Sequence, residues 1–221
     1  MQKRVPARRG RCEIRVSRSR FIASAAPVFS VEEARRFIEQ IRKEFPDATH
    51  HVPAYLIGHG PTVSAHCQDD GEPSGTAGRP VLSVLQGSGL GDVAVVVSRY
   101  FGGAKLGSGG LVRAYSEAVR QVLRELPVAE KRLAHTVLLA CPYSGLRLVR
   151  QAVQRLQGQI LEEEFAAQVR LRLRLPASHY ERFQAEIAQI SKADWMPEIQ
   201  ETSQSILPIR GDLTQRRKDA K

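Results

Sequence analysis

The sequence predicts an α+β protein with two domains. Its 221 residues exceed the commonest single-domain size of about 100 to 150 residues. Helical and strand-like patterns are interspersed along the chain, and their order changes after a polar, aperiodic stretch near Glu130. The hydrophobic fraction of 42% and the charged fraction of 25% are those of a globular protein that can bury two cores.

The first domain opens with two strands and an amphipathic helix. Residues 31–45 place apolar side chains three and four positions apart, which is the period of a helix with one buried face. Ser30 precedes them as an N-cap, Glu33 follows three residues later, and Pro46 stops the helix. We therefore predict a helix with a capping box. The two preceding strands are predicted over residues 11–16 and 21–26.

A buried central strand is predicted over residues 93–97. Five consecutive apolar residues are too few for a helix and too uniform for a half-exposed strand. One more helix follows, and Pro127 closes the first domain. The remaining elements of this domain are hairpin strands over residues 52–57 and 63–67 and helices over residues 79–86 and 111–126.

The second domain is predicted to follow the order strand, helix, strand, strand, helix, strand. This βαββαβ order is that of the ferredoxin-like, split-βαβ arrangement. Its elements are predicted at residues 136–140, 145–156, 159–165, 169–175, 178–190 and 199–206. The whole chain is then divided into a first domain at 1–130 with a basic tail over about 1–10, a second domain at 131–209, and a basic C-terminal tail at 210–221.

The formal charge of +10 is concentrated at the two ends of the chain. Residues 1–20 contain eight Lys and Arg against Glu13 alone, and residues 210–221 contain five against Asp212 and Asp219. The ends therefore account for the whole excess. Although a basic chain suggests a nucleic-acid partner, the folded body is neutral and any basic patch on it must be local.

Cysteine number and hydropathy argue against a disulfide-stabilised protein and against a membrane-spanning or secreted one. The three cysteines are far apart and odd in number, which argues against a disulfide framework and favours a reducing compartment. No apolar run approaches the about 18 residues of a membrane span, and the N-terminus lacks the apolar core of a secretory signal. The arginine-rich start is also typical of a mitochondrial transit peptide, but the strand predicted directly behind it favours a cytoplasmic protein.

The first candidate site is an acidic, glycine-rich segment at residues 69–78. Glycine supplies positive φ and close backbone approach, and Ser74 or Thr76 can cap the helix that follows. Exposed amides at that helix start favour an anion, whereas the three carboxylates suit Mg²⁺. A tight loop with merely solvated acids is the alternative. The candidate residues are Asp69, Asp70, Gly71, Glu72, Gly75, Thr76, Gly78 and Arg79.

The second candidate site is a glycine-rich segment at residues 99–110 and the helix start behind it. It lies between a buried strand and a helix, the context in which glycine-rich loops cradle phosphates. It matches neither G-x-x-x-x-G-K-[ST] nor a well-placed G-x-G-x-x-G. Close packing of helix and sheet at the glycines is the alternative. The candidate residues are Arg99, Tyr100, Gly102, Gly103, Lys105, Gly107, Gly109, Gly110, Arg113 and Tyr115.

A third candidate is a basic strand in the second domain. Residues 169–175 alternate Val and Leu with Arg, so a period of two places Arg170, Arg172 and Arg174 on one face. These arginines could contact RNA phosphates. Three glutamates at residues 162–164 lie on the predicted hairpin partner, and their pairing with the arginines is the favoured interpretation.

Together the two glycine-rich segments resemble the IMPACT/YigZ family. The family pattern D-D-G-E-P-[SA]-G-T-A-G-[KR]-P is present at residues 69–80, and R-Y-[FY]-G-G-x-x-L-G-x-G-G-L-V-[RK]-A-Y at residues 99–115. The segments S-R-F-I at 19–22 and D-A-T-H-H at 47–51 are also similar. The resemblance covers the first domain nearly end to end, and the second domain resembles the partner domain of bacterial members.

The resemblance implies both a fold and a link to translation. It implies a ribosomal-protein-S-five-domain-two-like fold for the first domain and a ferredoxin-like fold for the second, a pairing similar to the fourth and fifth domains of elongation factor G. Eukaryotic relatives regulate initiation by competing for the activator of a starvation-sensing kinase. We therefore favour a regulatory protein without cofactor or metal, which binds a ribosome-associated protein or structured RNA through both glycine-rich segments.

The alternative is a Mg²⁺-dependent phosphoryl-transfer or phosphate-ester enzyme. In that hypothesis the second glycine-rich segment cradles a phosphate, its cations neutralise the charge, and the carboxylates of the first segment hold Mg²⁺. The first-domain fold implied by the resemblance is shared with small-molecule kinases, which supports this hypothesis by analogy only.

Overall fold

The computed structural model describes residues 3–208, which form two compact α+β units. The first unit covers residues 3–128 and the second begins at Ala129. Each unit contains an antiparallel sheet with helices packed on it. The predicted C-terminal basic tail, 210–221, lies outside the described residues.

The first unit has a five-stranded antiparallel sheet in the order β2-β3-β6-β4-β5. Its strands are β2 (Gly10–Val16), β3 (Ser19–Pro27), β4 (His50–Ile57), β5 (Ser64–Cys67) and β6 (Val93–Tyr100), preceded by the short β1 (Arg4–Pro6). The helices are α1 (Val31–Glu44), α2 (Gly78–Gly87) and α3 (Gly107–Glu125). A 3₁₀ turn, Gly60–Thr62, precedes β5.

Strand β6 lies at the centre of this sheet, and the prediction of a buried central strand is confirmed. Val93, Val95 and Val97 pack in one core with α2 and α3. Ala94 and Val96 pack with α1 in the core on the other face. Because both faces are covered, the strand has no need of polar alternation, which explains its continuous apolar run.

Helix α1 begins with a modified form of the predicted capping box. The Ser30 hydroxyl accepts a hydrogen bond from the Glu33 N–H at 3.1 Å. The Glu33 carboxylate reaches one residue further back than expected and accepts from the Phe29 N–H at 2.8 Å. Two amides at the helix start are therefore satisfied by side chains.

We expect Ser30→Ala to destabilise the protein by about 1 kcal/mol, because the Glu33 amide then loses its acceptor. Urea unfolding of the full chain measures this difference. Ser74→Ala is the matched control, since Ser74 is exposed and lies outside any helix start. Equal losses in the two variants would contradict the capping role.

Two features of the first unit differ from expectation. Helix α3 begins at Gly107 rather than at residue 111, so the last glycines of the second segment form its first turn. The glycines have low helix propensity, which argued against a helix there. The N–H groups of a first helical turn need no intrahelical partner, however, and the packing of Leu111 and Tyr115 in the core fixes the helix. The N-terminal segment predicted as a tail also contains the strand β1. The apolar side chain of Val5 in this strand is fully buried.

The second unit follows the predicted order of elements. Its elements are β7 (Val128–Cys141), α4 (Leu146–Arg155), β8 (Gln159–Phe165), β9 (Val169–Pro176), α5 (Tyr180–Ser191) and β10 (Glu198–Pro208), with a 3₁₀ turn Ala177–His179 before α5. The strands pair antiparallel in the order β10-β7-β9-β8. Alternate residues of β7 and β9 pack with α4 and α5 in a single core.

The polar stretch predicted as a domain boundary is part of a strand. Strand β7 begins at Val128, eight residues before the predicted start at 136. Residues 129–138 pair with β10, so backbone hydrogen bonding rather than apolar periodicity holds this half of the strand. Within residues 3–208, no helix combines the length and hydropathy needed to cross a membrane.

Candidate functional site

A buried carboxylate connects the two glycine-rich segments. Glu72 Oε1 accepts a hydrogen bond from Arg99 Nη1 at 2.5 Å and another from the Tyr115 hydroxyl at 2.7 Å. The relative exposure is 8% for Glu72, 4% for Arg99 and 0% for Tyr115. The first segment supplies Glu72, and the second supplies Arg99 and, through α3, Tyr115. The two segments therefore meet in space.

Aromatic rings surround this network. The Arg99 guanidinium carbon lies 5.4 Å from the centre of the Phe21 ring and 5.6 Å from that of Phe101, close enough for cation–π attraction. Phe21 also packs edge-on against Tyr115 at 5.2 Å. Burial, together with the Glu72 carboxylate, raises the pKa of the Tyr115 phenol, so it remains a neutral hydrogen-bond donor.

Asp69 organises the rest of the first segment. Its Oδ1 accepts from the N–H groups of Ala77 at 3.1 Å and Gly78 at 2.7 Å, and its Oδ2 accepts from that of Gly75 at 2.9 Å. It thus caps the start of α2, a role that we had predicted for Ser74 or Thr76. That prediction was wrong, because the Thr76 hydroxyl donates to the Pro73 carbonyl instead.

The stability of the protein at acid pH tests the role of Asp69. Burial alone would raise its pKa, but the three backbone donors outweigh burial, so the pKa lies below the usual value for Asp. A depressed folded-state pKa contributes stability above the unfolded pKa of about 3.9, and this stability is lost as pH falls through the folded pKa. We therefore expect wild type to lose more stability than Asp69→Asn between about pH 5 and pH 2. Urea unfolding midpoints of both proteins, measured across this pH range, check this prediction. Parallel curves of midpoint against pH for the two proteins would contradict it.

Asp70 ties the first segment to α1 and β4. Its carboxylate accepts from Arg42 Nη2 and from the His51 N–H, both at 2.7 Å. Its backbone carbonyl lies 2.7 Å from His50 Nδ1, so this imidazole nitrogen carries the proton. Asp70 and Gly71 both have positive φ, at 48° and 85°. The reversal that turns Glu72 inward therefore needs a glycine at position 71.

The three carboxylates of the first segment do not converge. Asp69 faces backbone amides, Asp70 faces Arg42, and Glu72 faces Arg99. In the described part of the chain, no group of three or more His, Cys, Asp or Glu side chains is placed to hold a metal ion. The convergent carboxylates that the enzymatic alternative requires for Mg²⁺ are therefore not found at residues 69–72, because each carboxylate already accepts hydrogen bonds from the protein.

The second segment is packed closely against the turn between β2 and β3. A Cβ at Gly102 would lie 1.9 Å from the Arg18 carbonyl oxygen, so only glycine fits. The Gly102 N–H donates to Ser19 Oγ at 3.3 Å, and the Phe101 N–H donates to Thr49 Oγ1 at 3.1 Å. The start of this segment is thus held by contacts with Arg18, Ser19 and Thr49.

The outer side of the second segment is exposed and basic. Lys105 and Arg113 are exposed and make no ion pair within the described chain. The N-cap residue of α3, Leu106, provides no side-chain cap for the first amides of this helix. On the first segment, Arg79 is exposed and its charge contributes to the low pKa of Asp69. Phe101 adds a ring that is 48% exposed. The positive charge of these side chains and the uncapped amides at the start of α3 are therefore available to a partner.

The structure divides the predicted site residues into two sets. The set with buried side chains or backbone is Glu72, Thr76, Gly78, Arg99 and Tyr115. The partly or fully exposed set is Asp69, Asp70, Gly71, Gly75, Arg79, Tyr100, Gly102, Gly103, Lys105, Gly107, Gly109, Gly110 and Arg113. Within the first set, Glu72, Arg99 and Tyr115 hold the two segments together, and only residues of the second set are accessible to a partner.

Several residues that build the site were not predicted as site residues. Ser19 and Phe21 contact Arg99, His50 and His51 contact Asp70, and Arg42 pairs with Asp70. Ser19, Phe21, His50 and His51 lie in the short segments at residues 19–22 and 47–51 that contributed to the resemblance, and these segments were the signal for them. Arg42 lies on the exposed face of a helix and gave no sequence signal.

The second-domain arginines are largely neutralised, as favoured from the sequence. Arg172 pairs with Glu162 at 3.1 Å, and Arg170 lies 3.9 Å from Glu164 across the β8–β9 hairpin. Arg174 is opposite Gln159. The remaining glutamate, Glu163, faces the opposite side of the strand and pairs with Arg150 of α4 at 2.6 Å. Two of the three arginines therefore have a carboxylate within 4 Å, and Arg174 makes no ion pair among residues 3–208.

Comparison with known proteins gives matches over both units. The model of the Impact N-terminal domain matches residues 17–123, and that of a domain of unknown function, DUF1949, matches residues 139–193. IMPACT family member YigZ of Escherichia coli K12 is 41% identical over 179 residues, which cover 80% of this chain and 87% of YigZ.

Two further matches extend the comparison. Protein IMPACT of Xenopus laevis is 37% identical over 94 residues, which cover 41% of this chain and 30% of that protein. A crystal structure of a hypothetical protein is 37% identical, with a TM-score of 0.57 and coverage of 91% of this chain and 98% of that one. The similarity to YigZ and to the crystal structure therefore extends over both units.

Proposed function

The chain belongs to the IMPACT family as a YigZ-type member with two domains, the arrangement of bacterial relatives, and we propose on this basis that it is a translation-linked regulatory protein. The partner is a ribosome-associated protein or structured RNA. It binds the outer surface of the two glycine-rich segments, hereafter the two-segment surface, formed by residues 69–79 and 99–113. The eukaryotic members that the motifs resemble regulate initiation, which supports the link to translation.

One observation carries this proposal. The Glu72 carboxylate holds Arg99 and Tyr115 in a buried network, so the two segments are fixed as one surface. Glu72, Arg99 and Tyr115 are largely removed from solvent, and their part is therefore positioning rather than contact. Arg79, Lys105 and Arg113 remain outside, where long cationic side chains can reach phosphates or carboxylates.

The finer description of the two domains belongs to the same proposal. We assign the ribosomal-protein-S-five-domain-two-like fold to the first unit and the ferredoxin-like fold to the second. The strand order β10-β7-β9-β8, with both helices packed in one core, supports the second assignment. We also propose a cytoplasmic location and a small contribution of the basic chain ends to partner attraction.

Sedimentation with ribosomes over a salt series tests the proposal. Three phosphate contacts give an affinity that falls by roughly 20- to 40-fold between 50 and 200 mM salt. We therefore expect the full chain to sediment with ribosomes from a lysate at low salt and to be released as salt rises. Failure to sediment at any salt concentration, with purified ribosomes and in lysate, would overturn the proposal.

The enzymatic alternative is less well supported by this geometry. The carboxylates intended for Mg²⁺ each accept hydrogen bonds from protein donors, and they point in different directions. The uncapped start of α3 is the feature that still favours a phosphate. A thermal-shift screen with nucleotides and Mg²⁺ separates the two hypotheses, because a ligand at 100 times its dissociation constant stabilises by about 2.7 kcal/mol. A shift of that size would favour the enzyme.

A further inference from the structure

A cavity of about 460 Å³ lies in the first unit, between the C-terminal halves of α2 and α3. Arg4 of β1 and Val128 complete its lining. Its volume is within the range of about 300 to 1,000 Å³ that small-molecule sites occupy. The lining includes none of residues 69–79 or 99–113, so the cavity is separate from the two-segment surface.

The rim of the cavity is positively charged. Arg4, Arg120 and Arg124 line it, and one carboxylate, Glu117, lies 3.5 Å from both Arg120 and Arg124. The Arg4 side chain makes no ion pair among residues 3–208, although its carbonyl accepts a hydrogen bond from the Gly91 N–H at 2.9 Å. Three guanidinium groups against one carboxylate favour an anion in the cavity.

The remaining lining is mainly aliphatic. Val84, Leu90, Leu123 and Val128 contribute apolar side chains, and the lining contains no aromatic ring. The Ser88 hydroxyl is already occupied, since it donates to the Leu85 carbonyl at 2.6 Å and accepts from the Leu90 N–H at 3.2 Å. A nucleobase would find no aromatic stacking partner there, and Ser83 supplies the remaining hydroxyl of the lining. An aliphatic group would bury apolar surface.

We propose that this cavity binds a small amphipathic anion, which is a carboxylate or phosphate monoester on an aliphatic body. The anionic group contacts Arg4, Arg120 and Arg124, and the aliphatic part lies against Leu90 and Leu123. The site is independent of the two-segment surface, so it requires no ribosomal partner.

Isothermal titration of the full chain with four probes tests the site. The probes are octanoate, octyl phosphate, inorganic phosphate and 1-octanol. We expect octanoate or octyl phosphate to bind at least about tenfold more tightly than inorganic phosphate or 1-octanol, because only the first two combine charge with an aliphatic body. Comparison of the two amphipathic probes shows which anionic group the site prefers. Equal binding of inorganic phosphate would reduce the site to a cationic patch and overturn the proposal, as would equal binding of 1-octanol or no binding of either octyl anion.

Variants locate the binding. Arg120→Gln with Arg124→Gln removes two exposed charges from a helix without disturbing the core, and about a tenfold loss of octyl-anion affinity is expected. Gly87→Phe adds a bulky side chain at a residue that lines the cavity, where a Cβ meets no atom within 4 Å, and loss of binding is expected. Arg35→Gln with Arg36→Gln on α1 is the matched control, because both arginines are exposed and lie outside the lining. Unchanged affinity in the first two variants, or an equal loss in the control, would overturn the assignment.

Ribosome sedimentation distinguishes this proposal from the previous one. The Arg120→Gln, Arg124→Gln variant retains Arg79, Lys105 and Arg113, so it should sediment with ribosomes as wild type does. Loss of sedimentation in this variant together with unchanged octyl-anion binding would contradict the cavity proposal. A protein that binds octyl anions but never sediments with ribosomes would retain the cavity site and lose the translation-linked function.

Discussion

Glu72→Ala is expected to lower the free energy of unfolding by about 3–5 kcal/mol. The substitution leaves the Arg99 guanidinium buried without its carboxylate, and removal of one partner of a buried ion pair has a cost of this size. It also removes the acceptor of the Tyr115 hydroxyl, which lies in the same network. Urea unfolding, followed by circular dichroism, measures the loss.

Glu44→Ala is the matched control for Glu72→Ala. Glu44 also pairs with an arginine, Arg11, at 2.6 Å, but both side chains are about 40% exposed. Because exposed pairs contribute about 0.2–1 kcal/mol, a much smaller loss is expected. If both glutamate variants lost the same free energy, Glu72 would not hold the two segments together.

Gly102→Ala is expected to lower the free energy of unfolding by about 3 kcal/mol. A Cβ at this position would lie 1.9 Å from the Arg18 carbonyl oxygen, and backbone atoms on both sides must move to relieve that contact. The displacement would pull the Gly102 N–H away from Ser19 Oγ, which also accepts from Arg99. Thermal and urea unfolding of the full chain measure the effect.

The neighbouring glycine provides a control. Gly103 has φ of 82° and open space where a Cβ would be placed, so Gly103→Ala should cost only about 1–2 kcal/mol of backbone strain. A larger loss for Gly103→Ala than for Gly102→Ala would mean that close packing on the β2–β3 turn is not what requires glycine at 102.

Local patterns predicted the elements of this fold well where apolar side chains mark them. The run at residues 93–97 identified the central strand, because burial on both faces leaves a continuous apolar signature. The start of α3 and the first half of β7 were missed for opposite reasons. Glycines at 107–110 argued against a helix that tertiary packing imposes, and the polar start of β7 carries no apolar period because pairing with β10 holds it.

Sequence patterns selected the candidate residues, but they did not determine how those residues are arranged. Charge and glycine patterns show that Glu72 and Arg99 are unusual, yet they cannot show whether a charged group faces solvent or a buried partner. The distinction depends on contacts between residues 27 positions apart in the sequence. For the same reason Asp69 was included among the Mg²⁺ ligands of the enzymatic alternative, whereas its carboxylate caps a helix that begins nine residues later.

The most direct test of this account is ribosome sedimentation of two charge-matched triple variants. One variant carries Arg79→Gln, Lys105→Gln and Arg113→Gln on the two-segment surface, and the other carries Arg35→Gln, Arg36→Gln and Lys43→Gln on the exposed face of α1. Both lose three positive charges, so general attraction falls equally. The account predicts that at low salt the first variant no longer sediments with ribosomes while the second still does. Equal sedimentation of the two variants would contradict it.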